Sequence, residues 1–184
     1  MTKLENYSRS LKVLYKKLLI FILLSGILIP KKPTVGEWRL IFIVLGLFNN
    51  KVYDACKRKF LCYKSTDNLD AGVPKNDRDP KNGTYAIWAR DTVEADEVHK
   101  NKSAMYLAQK NIKGITLLER MILELKYFTE TGKHLDVDSW TLCSGSRSSD
   151  GNVPDACCID GAFKVGWSNV ESIGNILRSR EVVS

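Results

Sequence analysis

The sequence predicts an α+β domain in its C-terminal part, and three observations carry the prediction. Thr84-Tyr85-Ala86-Ile87-Trp88-Ala89 has the aromatic and β-branched content of a strand. Residues 116–131 combine a helical apolar period with a start signal and a stop signal. Phe163, Val165 and Trp167 alternate with Lys164, Gly166 and Ser168, which is the period of a strand with one covered face. A capped amphipathic helix and a half-buried strand both need a common sheet to pack on.

The chain begins differently. Residues 1–64 carry 13 Lys/Arg against 3 Asp/Glu, whereas residues 65–184 carry 15 against 18. This shift from +10 to −3 places a boundary near residue 65. Residues 18–30 read LLIFILLSGILIP between Lys16-Lys17 and Lys31-Lys32, and a second apolar stretch runs from Leu40 to Phe48. The first run falls short of the ~20 residues a helix needs to cross a bilayer. No small-x-small cleavage site follows it. Three readings of residues 1–64 stay open: a membrane-associated segment over 11–48, a pair of buried helices, and a basic nucleic-acid surface. The last is disfavoured, because the basic residues flank aliphatic runs and do not interleave with stacking aromatics.

Residues 65–83, rich in Asp, Asn, Pro, Gly and Lys, read as a linker. Beyond the strand at 84–89, Asp91 or Thr92 caps a helix reaching about His99, and Ser103 caps a further turn through Tyr106 and Leu107. Gly114 interrupts the chain. Thr116-Leu117-Leu118-Glu119 then fits a capping box, and Leu118, Met121, Ile122, Leu125 and Phe128 form one apolar stripe. Arg120/Glu124 and Lys126/Glu130 are i,i+4 pairs placed on the outer face, and Gly132 supplies the stop. On this reading residues 80–184 fold without the first third.

The residue inventory offers no catalytic grouping. Cys56, Cys62, Cys143, Cys157 and Cys158 are odd in number and include an adjacent pair, which makes a poor disulfide framework. They lack the paired spacing of a zinc site and read as ordinary thiols of a reducing compartment. His99 is placed on a charged helix surface and His134 after the helix stop, each without a carboxylate partner. No metal, cofactor or catalytic residue is assigned.

The run from Thr141 to Ser184 looks like a fixed frame with arbitrary residues in its gaps. Gly145-Ser146, Val153-Pro154, Phe163, Val165, Trp167 and the closing Leu177-Arg178-Ser179-Arg180 are the frame. Small and polar residues of no period lie between. Such a segment suits binding through a surface and not chemistry.

From about Asp79 onward the chain resembles the target proteins of bacterial diversity-generating retroelements. GTYAIWARDTVEADEVHKNKSA, GITLLERMILELKYFTETGKHLD, WTLCSGSR, DGNVP and LRSREVVS carry the resemblance. It implies a C-type-lectin-like variable domain, akin to the formylglycine-generating-enzyme group, over residues 84–184. The helix at 116–131 is similar to that group's helix before its Gly-rich turn, Gly145-Ser146 to the turn, and LRSR to the closing strand. The family often has an aromatic residue where this chain has Cys158, and residues 1–64 are not part of the resemblance.

The family's reverse transcriptase rewrites the variable region through errors at adenines. An Asn codon randomised in this way cannot encode Lys, Glu, Gln, Met or Trp. Asn152, Asp155, Ala156, Cys157, Ile159, Asp160, Gly166, Ser168, Asn169, Ser172, Ile173, Gly174 and Asn175 are all types it does encode, whereas Lys164 and Glu171 are not. The resemblance thus implies that those thirteen residues carry a hypervariable ligand-binding surface for an unknown protein or surface ligand. The function implied is non-catalytic binding. The alternative is a membrane-associated structural or interaction protein without variability. Localisation at a membrane through the N-terminal segment, or in the cytoplasm, stays open.

Overall fold

The computed structural model describes residues 26–184, so the part of the 11–48 segment before residue 26 lies outside the described residues. The protein is a mixed α/β chain with three sheets and four α-helices among those residues. In chain order the elements are β1 (Trp38–Ile43), α1 (Asn49–Lys57), β2 (Leu61–Lys64), α2 (Leu69–Gly72), β3 (Lys75–Asn76) and β4 (Tyr85–Arg90). There follow α3 (Ala104–Gln109), α4 (Leu117–Thr131), β5 (Trp140–Leu142), β6 (Ser146–Arg147), β7 (Val153–Ile159), β8 (Ala162–Ser168), β9 (Leu177–Ser179) and β10 (Val182–Val183). The main sheet has the order β2-β8-β7-β5-β9, with β2 parallel to β8, β9 parallel to β5, and the β8-β7-β5 centre antiparallel. A second, antiparallel sheet has the order β1-β4-β10, and β3 pairs with β6 in a short third one.

Helix α4 lies in the common core and contacts α1, β1 and β7. Its start is the capping box read from the sequence: Thr116 Oγ1 accepts from Glu119 N–H at 3.2 Å, and Glu119 accepts from Thr116 N–H at 2.8 Å. Gly132, left-handed at φ 69°, ends it. The apolar stripe is the core face, with Met121 fully buried against Ile41, Ile87 and Phe163 in one cluster. The strand expected at 84–89 is β4, and the turn expected after Ser103 is α3, where Ser103 Oγ accepts from Tyr106 N–H at 3.1 Å.

Other expectations are corrected. Leu40–Phe48 is not a helix over its first half. Leu40 to Ile43 belongs to β1, antiparallel to β4, and Ile41 and Ile43 are core residues. The boundary near residue 65 divides charge but not structure, because Val52, Tyr53 and Cys56 of α1 join the same core as Leu117, Phe163 and Val182. The 65–83 stretch is structural as well. Asp70 caps α1 by accepting from Asn49 N–H at 2.6 Å, and Asp77 N–H donates to Gly145 O at 2.9 Å. Arg78 pairs with Glu119 at 2.7 Å and donates to Gly114 O at 2.6 Å. The segment 91–99 is not a helix; only a 3-10 turn at Glu97–His99 forms, with Asp96 N–H bonded to Ser179 O.

The largest correction concerns charge. Arg120 and Glu124 are fully buried, not solvent-facing, and form a network with Asp136 and Arg180. Arg120 Nε donates to Asp136 Oδ2 at 2.9 Å and Arg120 Nη1 to Glu124 Oε2 at 2.7 Å. Arg180 Nη2 donates to Asp136 Oδ1 at 2.6 Å and to Val93 O at 2.7 Å. His134 has a carboxylate partner after all, Glu124 at 2.8 Å, and His99 is buried, with Glu181 3.4 Å away. Helical spacing gave the pair Arg120/Glu124 correctly. What hid their burial is that the partners, Asp136 and Arg180, lie far along the chain.

Among the described residues no helix is long and apolar enough to cross a membrane. Because β1, α1, β2 and Arg78 complete the core, residues 80–184 expressed alone should melt without cooperativity, whereas residues 26–184 should melt in one transition. Calorimetry of the two chains checks this, and a sharp transition for the shorter chain would contradict it.

Candidate ligand-binding surface

The site rests on the β7-β8 hairpin. Its turn is Asp160-Gly161, with φ of 54° and 73°, between the paired Ile159 and Ala162. Positive φ at both central residues matches the right-handed strand twist, and Asp-Gly is a strong sequence signal for such a turn. The reading of Asp160 as a freely variable position overlooked that signal. Asp160 is exposed, but its place is set by the turn.

One face of the hairpin is core. Ala156, Phe163, Val165 and Trp167 pack in the main cluster with Met121, and Trp167 lies within 3.0 Å of where a Cβ on Gly72 would sit. The other face is covered along β7 and only partly covered along β8, where Lys164, Gly166 and Ser168 are half-buried. There Val153 packs with Ala104, Leu142, Val170 and Leu177 in a second, smaller cluster.

The thirteen residues expected at the surface therefore separate. Asp155, Ala156 and Cys157 are buried, because β7 is central in its sheet and covered on both faces. They are corrected from surface to interior. Ile159 and Asp160 stand at the hairpin tip, and Gly166 is in mid-strand opposite Asp155. The remaining seven lie at the other end of the hairpin and in the loop that follows it. Asn152 precedes Val153, which is paired with Ser168, so Asn152 and Asn169 flank the same end of the ladder. Ser172, Ile173, Gly174 and Asn175 continue along the 169–176 loop.

The backbone of that loop is fixed at several points. Met105 N–H donates to Val170 O at 3.0 Å, Ser172 N–H to Asn169 O at 3.0 Å, and Leu177 N–H to Gly174 O at 3.0 Å. Trp140 N–H reaches Ile176 O at 2.8 Å, and Val170 and Leu177 anchor the two ends in the smaller apolar cluster. The side chains of Asn169, Glu171, Ile173, Asn175 and Ile176 point into solvent, with Ile173 63% exposed. Sequence reading missed Ile176, and missed Met105 and Tyr106, exposed on α3 beside the loop. Only the α3-to-loop hydrogen bond identifies them, and that contact has no local sequence signal.

Chemically this surface offers amides from Asn152, Asn169 and Asn175, hydroxyls from Ser168 and Ser172, and two isoleucines. It supplies hydrogen bonds and apolar contact. Among the described residues no group of three or more His, Cys, Asp and Glu is arranged to hold a metal ion. All five cysteines are thiols, and burial pushes that of Cys157 up to about 12.

Asp155 joins the frame to the surface. Its Oδ2 accepts from Ser168 Oγ at 2.6 Å. A Cβ on the facing Gly166 would sit 2.7 Å from Asp155 Oδ1, so a side chain at residue 166 would have to displace the Asp155 carboxylate. Burial raises the Asp155 carboxyl above its usual range, against the lowering effect of the Ser168 hydroxyl and the Gly166 N–H.

Comparison of the chain with protein-family models, curated proteins and solved structures gives no match.

The titration of Asp155 yields a signed expectation. An acid raised in the folded state binds its proton before the unfolded chain does, so its ionisation costs stability above the folded pKa. That cost disappears below the unfolded value of about 3.9. Asp155→Asn should therefore raise Tm at pH 7 by a few degrees, with the two proteins converging as the pH falls toward about 4. Thermal melts across this range check it, and a lower Tm for the variant at pH 7 would contradict it.

Proposed function

We propose that the chain is a non-catalytic ligand-binding protein whose C-terminal part presents a diversified surface, as in the retroelement target proteins it resembles. On this reading the C-terminal part is C-type-lectin-like. The order of capped helix, Gly145-Ser146 turn, hairpin and closing strand supports it. The observation that carries the proposal is the 169–176 loop. Its backbone is tied to α3 and β5 while most of its side chains stand free of the core. A pre-organised backbone loses little entropy on binding, and exposed side chains change at little stability cost. The ligand-contacting residues are Asn152, Ser168, Asn169, Ser172, Ile173 and Asn175, joined by Ile176.

Sequencing codons 145–180 in many cells of one lineage tests the proposal. Substitutions should fall at adenines, concentrate at the exposed positions of 152 and 168–175, and match a near-repeat of the same DNA beside a reverse-transcriptase gene. An unvarying region, or substitutions spread evenly over all four bases, would contradict it.

A further inference from the structure

We infer that the end of the molecule built from residues 28–32, the 44–48 turn and the 3-10 turn Pro80–Asn82 docks on the surface of an anionic lipid bilayer. This is independent of the ligand surface, which lies on other elements. Four large apolar side chains are exposed here: Leu28 at 90%, Ile29 at 50%, Leu45 at 58% and Phe48 at 48%. Backbone contacts fix the segments that bear them. Leu45 N–H donates to Thr84 Oγ1 at 2.9 Å and Gly46 N–H to Pro80 O at 3.3 Å, which ties the 44–48 turn to the chain around β4. Gly46, at φ 75°, forms the tip, with open space around it. Trp88 Nε1 donates to Pro30 O at 2.8 Å, so the 28–32 segment is held against β4.

These segments share one end. A groove of about 620 Å³ is lined by Leu28, Pro30, Lys31, Thr84 and Tyr85. A smaller cavity of about 240 Å³ is lined by Leu47, Phe48, Pro80 and Lys81. Arg78 and Asp79 border both, and the Pro80–Asn82 turn follows them.

The charges beside these apolar groups fix the partner. Lys31, Lys32, Lys51 and Lys81 are all at this end, with Lys32 over the Trp88 ring and Lys51 over Phe48. Of the acids nearby, Asp70 caps α1, Asp79 caps the 3-10 turn and faces Lys81, and Asp77, which also lines the groove, is outnumbered by the lysines. Arg78 is paired with Glu119. Leu28 to Pro30, the described end of an apolar sequence run, lie here and are followed by Lys31-Lys32. Aliphatic and aromatic side chains that enter the headgroup boundary, ringed by lysines attracted to anionic lipid, form an interfacial anchor. A protein partner would satisfy the apolar groups but would not require a bordering excess of lysine.

The test is sedimentation of the full chain with vesicles of phosphatidylcholine alone or mixed with phosphatidylserine. The chain should bind the phosphatidylserine vesicles preferentially, and added salt should weaken binding. Leu45→Glu with Phe48→Glu should lower the partition coefficient by about tenfold or more, with the melting temperature unchanged. Lys51→Glu with Lys81→Glu should reduce the preference for phosphatidylserine. If the glutamate pair fails to fold, Leu45→Ser with Phe48→Ser gives the same reading. No binding to either vesicle, equal binding to both, or wild-type binding by the Leu45/Phe48 variants would overturn the inference.

Discussion

The carboxylate of Asp136 holds together parts of the chain that would otherwise have no reason to meet. It lies fully buried between two guanidiniums, Arg120 from α4 and Arg180 from the C-terminal strand region, and accepts from the Thr141 hydroxyl of β5. Burial alone would raise its pKa, but Arg180, Arg120 and Thr141 outweigh that effect and hold the carboxyl below its usual range. Glu124 supplies the second negative charge, so two arginines and two acids balance. Ion pairs of this kind contribute little net stability against an apolar core of equal volume. Removing one member is costly, because an uncompensated buried charge remains. The network therefore acts mainly as a constraint on geometry: only one arrangement of α4, the 132–139 turn, β5 and the chain end satisfies every member.

That constraint reaches the proposed ligand surface through β9. Arg180 is fixed by Asp136, Thr92 O and Val93 O, and Ser179 O accepts from Asp96 N–H. With residues 179–180 held, β9 stays parallel to β5, and Leu177 marks the end of the 169–176 loop. The other end is set by the β7-β8 hairpin, whose apolar face packs on Met121, with Phe163 of that face beneath Arg120. A close crossing reinforces the same region. A Cβ on Gly114 would meet Ser144 Oγ at 1.7 Å, and one on Gly145 would meet Gly114 O at 2.5 Å. The Gly145-Ser146 turn can therefore press against the chain before α4 only as glycine. Frame and surface are physically distinct: the first is over-determined by buried bonds, and the second is attached to it by backbone hydrogen bonds, by Val170 and Leu177 at its ends and by the Ser168–Asp155 bond.

Local signals in the sequence were legible, and long-range ones were not. The capping box, the Gly132 stop, the Ser103 cap and the 84–89 strand follow from residues within a few positions of one another. The structure has each of them. The alternation at Phe163, Val165 and Trp167 correctly gave the core face of β8. It could not show that β7 is covered on both sides, which is why Asp155, Ala156 and Cys157 were misplaced. Composition misled at the N-terminal side. The charge shift near residue 65 is real, yet β1 and α1 complete the same core, since net charge describes solvent-facing side chains and not strand pairing. The burial of Arg120 depends on Asp136, 16 residues away, which is also held by the more distant Arg180, and no helical period encodes either separation.

The most direct test of this account is a double-mutant cycle on the Asp136–Arg180 pair. Asp136→Asn, Arg180→Met and the double variant would be unfolded in urea, together with the native chain. Each single change should cost about 3–5 kcal/mol, and the double change should cost less than their sum by more than about 1 kcal/mol. Single costs below about 1 kcal/mol, or strict additivity, would show that the buried carboxylate does not hold the frame.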